Sequence, residues 1–235
     1  MITTKKLNLT FKNKKILDNI SIHLQQGKIT TFIGKSGAGK TSLLKCLGQL
    51  FQFYSGEILY KDKQIKSLSG QQRANTIGFV FQQFHLFPHL TVLQNCVQPQ
   101  VVVLGLSQSI AEERTTTWLK SMGLLELKNA YPNKLSGGQQ QRVAIVRALV
   151  LQPQVLLFDE PSSSLDPQST RDLAELLKSL NKSGITIGLC SHDIAFIKTL
   201  MDKVYMLEDG MVIDEYCLQN GPLTLESRIG HFLCE

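Results

Sequence analysis

With 235 residues, 43% of them hydrophobic and 19% charged, the chain can bury a proper core and has the balance of an ordinary soluble globular protein. Its net charge of +6 comes from scattered lysines without interleaved aromatics, which argues for a solvated basic surface rather than nucleic-acid binding. The longest apolar run, Val101–Leu106, cannot span a bilayer, no apolar stretch follows the N-terminal lysines as a secretory signal requires, and the five cysteines lack zinc or disulfide spacing.

Leu7–Phe11 and Ser21–Leu24 alternate in polarity and predict short strands. Gly27 turns the chain into Ile29–Ile33, a continuous apolar run suited to a buried strand. A glycine-rich loop follows, then apolar residues at helical spacing over Thr41–Leu50. Gly56–Tyr60 and Ile77–Phe81 predict further strands. Beyond residue 83 the pattern turns helical, over Ser109–Met122 and Gly138–Leu151, with no buried strand. Residues 84–151 are therefore expected to form a helical subdomain inserted into an α/β core made of 1–83 and 152–235. That core resumes at Val155–Phe158, and with the amphipathic helix Arg171–Leu180 and the strand Ile185–Cys190 it makes a strand–helix–strand unit, hence a parallel sheet. Met206–Leu207 and Val212–Ile213 flank Asp209-Gly210, a hairpin turn. The fold class is α/β.

Gly34-Lys35-Ser36-Gly37-Ala38-Gly39-Lys40-Thr41, with Ser42 after it, satisfies the phosphate-loop pattern G-x-x-x-x-G-K-[ST] in full. Glycines let backbone N–H groups curl around a triphosphate, and the following helix start adds its positive dipole end. Lys40 is expected to reach the β- and γ-phosphates and the Thr41 hydroxyl to ligate Mg²⁺. Val155–Phe158 then runs into Asp159 and Glu160, carboxylates suited to holding the Mg²⁺ shell and to taking a proton from attacking water. Taken alone, those two acids would read equally well as the start of a surface turn before Pro161.

Leu135-Ser136-Gly137-Gly138-Gln139 adds a second anion-binding helix start, with Ser136 as N-cap and glycines exposing N–H groups. Here the chain resembles the ATP-binding-cassette family, whose ATPase signature is this pentapeptide, and the resemblance covers essentially the whole chain with the motifs in the family's order. It implies a RecA-like phosphate-loop core, an antiparallel β subdomain and a helical subdomain. It also implies a head-to-tail homodimer holding two ATP, with Ser136, Gly137, Gly138 and Gln139 of each copy on the γ-phosphate of its partner. By the same resemblance Gln82 touches Mg²⁺ and water, His192 is the switch histidine on the γ-phosphate, Asp166 lies in the inter-subunit loop, and Phe11 stacks on adenine. Read without the family, Asp166 is a helix N-cap before Pro167, His192 a structural histidine and Phe11 a core residue. Pro161-Ser162 and Ser164 depart from the family's usual residues without touching the phosphate chemistry.

Phe81–Val92 and Leu135–Arg147 are similar to importer ATPases for polar amino acids, as is the short C-terminus with Ile229–Leu233 and no long regulatory extension. That branch implies transmembrane permease subunits, indirectly a solute-binding protein, and a place on the cytoplasmic face of the cell membrane. Lipoprotein-release and cell-division members carry related stretches and form the alternative reading. Phe84, Leu86, Phe87 and Leu90 are expected either to dock a permease helix or to be buried in the helical subdomain.

Overall fold

The computed structural model describes every residue except Gln52, Leu225 and Glu235, and of Asn220 only the backbone. Its contacts group into two compact units, Met1–Leu68 with Leu157–Glu235, and Ser69–Leu156. The helical segment anticipated over 84–151 lies within the second of these.

The first unit opens with β1 (Ile2–Phe11), β2 (Lys14–Ile20), β3 (His23–Leu24), β4 (Ile29–Ile33), α1 (Lys40–Leu47), β5 (Tyr54–Tyr60) and β6 (Lys63–Gln64). β1 runs antiparallel to β2, β3 and β5, and β6 pairs with β5, giving one antiparallel sheet. Leu7, Leu9, Leu17, Ile20 and Leu24 turn into the core, while Lys5, Lys12, Lys14 and Lys15 face water. One hydrophobic face and one solvated face is what an antiparallel sheet allows. β4 is buried along its whole length.

In the second unit α2 (Gly70–Ala74) and β7 (Ile77–Val80) precede three longer helices, α3 (Val92–Leu104), α4 (Gln108–Ser121) and α5 (Gly137–Leu149). α3 was not legible as a helix because Pro99 sits inside it and β-branched residues fill its last turn. It starts at a capping box, Thr91 with Gln94, and packs on α4 and α5. β7 begins beside the strand that leaves this unit: Thr76 accepts the N–H of Val155 at 2.9 Å.

That strand, β8 (Val155–Asp159), carries the chain back to the first unit, where α6 (Pro167–Lys182), β9 (Thr186–Cys190), α7 (Ile194–Leu200), β10 (Lys203–Glu208), β11 (Met211–Cys217) and α8 (Arg228–Cys234) follow. Here β11, β10, β4, β9 and β8 lie side by side in that order. β4 is parallel to both β10 and β9, and β10–β11 is an antiparallel hairpin. Asp209 and Gly210 at its tip both take positive φ, 47° and 78°, as the tight hairpin turn needs. α7 and α8 contribute Ile197, Ile229 and Leu233 to a cluster with Ile33 and Val204. The α/β class stands, with a mixed sheet, parallel but for the β10–β11 hairpin, and an antiparallel one in the same unit.

Candidate nucleotide-binding site

Beyond Ile33 the chain passes from β4 through Gly34–Gly39 into α1. Gly34 has φ 139°, and a Cβ there would sit 2.1 Å from the Leu207 carbonyl oxygen, so the loop can lie against β10 only with glycine. At Gly39, φ 102°, a Cβ would come within 3.0 Å of both the Ile16 carbonyl and the Leu17 side chain. The Ala38 carbonyl accepts the Gly210 N–H at 3.2 Å, fixing the loop to the β10–β11 hairpin. Lys35, Ser36 and Gly37 are exposed along the loop, and Thr41 and Ser42 are half-buried in the first turn of α1. Lys40 is buried, and its ammonium donates to the carbonyls of Gly34 at 2.7 Å and Lys35 at 3.1 Å. A cation is thus held across a loop that ends on a helix start, which is an arrangement for dense negative charge.

Asp159, at the end of β8, is 6% exposed. Its Oδ1 accepts the Thr41 hydroxyl at 2.7 Å and the Cys190 thiol at 3.0 Å. Burial pushes that thiol well above its ordinary range, and the Asp159 charge beside it pushes the same way, so it stays protonated and able to donate. Hydroxyl and carboxylate oxygens are the hard donors Mg²⁺ takes. No cluster of three or more His, Cys, Asp or Glu stands ready among the described residues. The pair therefore fits an ion that completes its shell with phosphate oxygens and water, which is the habit of Mg²⁺.

Glu160 takes φ 47°, unusual for a residue other than glycine, and its N–H donates to the Cys190 carbonyl at 3.1 Å. One carboxylate oxygen, Oε2, is buried and has His192 Nδ1 2.9 Å away, yet among the described residues no donor is aligned for a hydrogen bond to it. The two side chains therefore approach closely without an aligned hydrogen bond. The His192 ring is exposed at the start of the turn into α7. Phosphate loop, Asp159, Glu160 and His192 all lie in the first unit, brought together by the adjacency of β4, β9 and β8. Phe11, at the end of β1, is 53% exposed, with its ring centroid 6.3 Å from that of Phe53. It is a surface aromatic and not a core residue. Asp166 caps α6, accepting the N–H groups of Gln168 and Ser169 at 2.9 and 3.0 Å, and the Ser169 hydroxyl and those amides hold its carboxyl below the usual range.

The second unit carries the remaining residues. Ser136 caps α5 through a capping box: its hydroxyl accepts the Gln139 N–H at 3.3 Å, and its own N–H donates to Gln139 Oε1 at 2.9 Å. α5 thus starts at Gly137, one residue before the sequence pattern suggested. Gln82 is exposed in the turn after β7. Phe84 and His85 follow with φ 58° and 47°, and the Arg147 guanidinium takes both of their carbonyls, at 2.8 and 2.6 Å. Phe84 is buried, Leu86 and Leu90 are half-buried, and Phe87 is 48% exposed. Sequence reasoning missed two of these residues. Arg147 gave no signal on the α5 pattern; Cys190 read as one of five scattered cysteines, though its place beside Ser191-His192 on a buried strand could have marked it.

Residues 17–163 match the family model described as ABC transporter. The arginine transport ATP-binding protein ArtM of Bacillus subtilis (strain 168) is 41% identical over 218 residues, 92% of this chain and 90% of that protein. The glutamine transport ATP-binding protein GlnQ of Geobacillus stearothermophilus is 36% identical over 217 residues, with the same 92% and 90% covered. Among solved structures, the dimeric MJ0796, described as a bacterial ABC transporter cassette, superposes with a TM-score of 0.84 at 34% identity, over 93% of this chain and 99% of that one. A post-hydrolysis state of the same cassette bound to ADP and Pi gives the same TM-score, 0.84.

Proposed function

The chain belongs to the ABC transporter family and is an ATP-binding, ATP-hydrolysing subunit, and from that premise we propose that it energises a bacterial importer for amino acids. The observation that carries the enzymatic part is the convergence, in one unit, of the Lys40 loop, the Thr41–Asp159 pair and the Glu160–His192 pair. The solute class is supported by relatives whose names specify arginine, glutamine and L-cystine transport.

Each group has a role that follows from its setting. The loop N–H groups and the Lys40 ammonium bind the triphosphate, and Phe11 offers an exposed ring to the base. Thr41 and Asp159 would hold Mg²⁺, and that ion would supply charge neutralisation on the phosphate oxygens. Glu160, largely shielded from solvent, accepts the proton of the attacking water, and His192, 2.9 Å from its carboxylate, faces the γ-phosphate. Ser136, Gly137, Gly138 and Gln139 present the start of α5 to the nucleotide of a second copy, so that each γ-phosphate lies between two helix starts. Positioning and electrostatics supply most of the acceleration.

ABC cassettes work as dimers with membrane permeases; for this chain the head-to-tail pairing, the solute-binding protein upstream and a seat on the cytoplasmic face are parts of the proposal. No helix among the described residues is long and apolar enough to cross a membrane, so membrane attachment would run through the permease.

Complementation tests the dimer. A mixed dimer of Lys40→Ala and Ser136→Arg copies retains one intact composite site, so mixing two inactive proteins should recover up to about a quarter of normal turnover for random pairing of a two-site dimer. No recovery would defeat the head-to-tail arrangement. Affinity capture from detergent-solubilised membranes tests the importer reading. An amino-acid permease is the expected partner; a lipoprotein-release or division complex in its place would overturn the assignment.

A further inference from the structure

We infer that Cys190 is a positioning residue for the metal site: its thiol fixes the carboxylate of Asp159 in the orientation that receives Mg²⁺. The inference rests on the reading of Asp159 as a metal residue and goes beyond it to a neighbour with no assigned part in the chemistry.

Among the described residues, Asp159 Oδ1 accepts from two side chains, one on α1 and one on β9. Thr41 Oγ1 reaches it from the first turn of α1 at 2.7 Å, and Cys190 Sγ reaches it from β9 at 3.0 Å. Sulfur is larger than oxygen, so 3.0 Å is a close approach for a thiol donor. Cys190 has no exposed surface, and Asp159 has almost none, so water does not compete for this contact. The backbone reinforces it, since the Cys190 carbonyl takes the Glu160 N–H at 3.1 Å. Cys190 therefore holds both consecutive acids, one by its side chain and one by its main chain. The Thr41 hydroxyl has one proton and two lone pairs, so it can donate to Asp159 while a lone pair faces the ion. The Cys190 thiol is a second donor to the same oxygen, carried by a strand that is buried along its whole length. Groups that orient a metal ligand in this way are worth about 10–100-fold in metal affinity, and a thiol, as a weak donor, belongs near the lower end.

The test measures binding, with turnover removed. In a Glu160→Gln background, retention of labelled ATP is followed as Mg²⁺ is titrated, and ATP binding in excess chelator is measured alongside. Cys190→Val, which fills the site but cannot donate, should raise the Mg²⁺ needed for half-saturation about tenfold. Cys190→Ser, which can donate, should restore most of the loss, and chelated ATP binding should be the same in all. Cys190→Ala guards against a packing artefact from the extra methyl of valine and should show the same shift. A wild-type Mg²⁺ requirement in both the Val and Ala variants, or a Ser variant as impaired as they are, overturns the inference. Asp159→Asn separates the two levels. If it leaves the Mg²⁺ requirement unchanged, the reading of Asp159 as a metal residue fails; if it raises the requirement while the Cys190 variants do not, only the role of Cys190 fails.

Discussion

His192 Nδ1 lies 2.9 Å from Glu160 Oε2, joining the end of β9 to the end of β8 across two side chains of very different exposure, 67% for the histidine and 14% for the acid. In the function proposed above, the more shielded partner, Glu160, is the one that takes the proton. Glu160→Gln keeps the shape of the side chain and removes its basicity. Turnover should fall by roughly 10²–10⁴, the worth of a positioned acid–base group, while ATP still binds. Steady-state hydrolysis beside equilibrium ATP binding checks this, and a variant with normal turnover would remove Glu160 from the reaction.

The same contact makes a prediction about coupling. His192→Ala should cost about 10²–10³ in turnover, the range for losing one oriented polar group at a reacting oxygen. Because the two side chains lie 2.9 Å apart, the Glu160→Gln and His192→Ala penalties should not add fully: the double variant should be less impaired than the product of the two. A double-mutant cycle on turnover gives the answer, and full additivity would mean that the contact has no part in catalysis.

Phe87 and Arg147 separate docking from folding. Phe87 is half exposed and its ring contributes little to the core, so Phe87→Ser should change stability by no more than about 0.5 kcal/mol. Stimulation of hydrolysis by the permease should be lost while basal hydrolysis persists. Arg147 is half-buried, burial lowers its pKa, and its guanidinium donates to the carbonyls of two residues in left-handed conformation. Arg147→Met should cost about 1 kcal/mol, because the part-buried Phe84 carbonyl loses its donor while the exposed His85 carbonyl can turn to water. Denaturant unfolding and permease-stimulated hydrolysis, measured on both variants, test the distinction; a Phe87→Ser protein that unfolds as readily as Arg147→Met would defeat the docking role.

Much of this site is legible in the sequence because each motif states its own local geometry. The phosphate loop reads directly, since Gly34 and Gly39 sit where no Cβ fits and the flanking β4 is an unbroken apolar run. Ser136 announces itself as a cap because a capping box is a local event. β2 was not legible, as Lys14, Lys15, Asp18 and Asn19 leave only Leu17 and Ile20 fully buried, and its pairing with β1 is a tertiary fact. α7 is short and its apolar face is seen only once it packs beside Ile33 and Val204. The role of Cys190 needs β9 to lie beside β8, which no local pattern encodes.

Two further thiols tie stability to pH. Cys46 and Cys96 have no exposed surface, and burial pushes each from an ordinary 9.0 up to about 12. In the unfolded chain both ionise near the ordinary value, so between 9.0 and about 12 the folded state binds more protons than the unfolded one. Stability is then fully present below 9.0 and falls as pH rises through that window. Each thiol contributes a slope of up to about 1.4 kcal/mol per pH unit there. A Cys46→Ala, Cys96→Ala protein should start less stable, by the cavities it leaves, and lose stability less steeply over the same window. Denaturant unfolding at a series of alkaline pH values compares the two slopes. Equal slopes would mean that these thiols do not set the alkaline limit, and that lysine or tyrosine ionisation does.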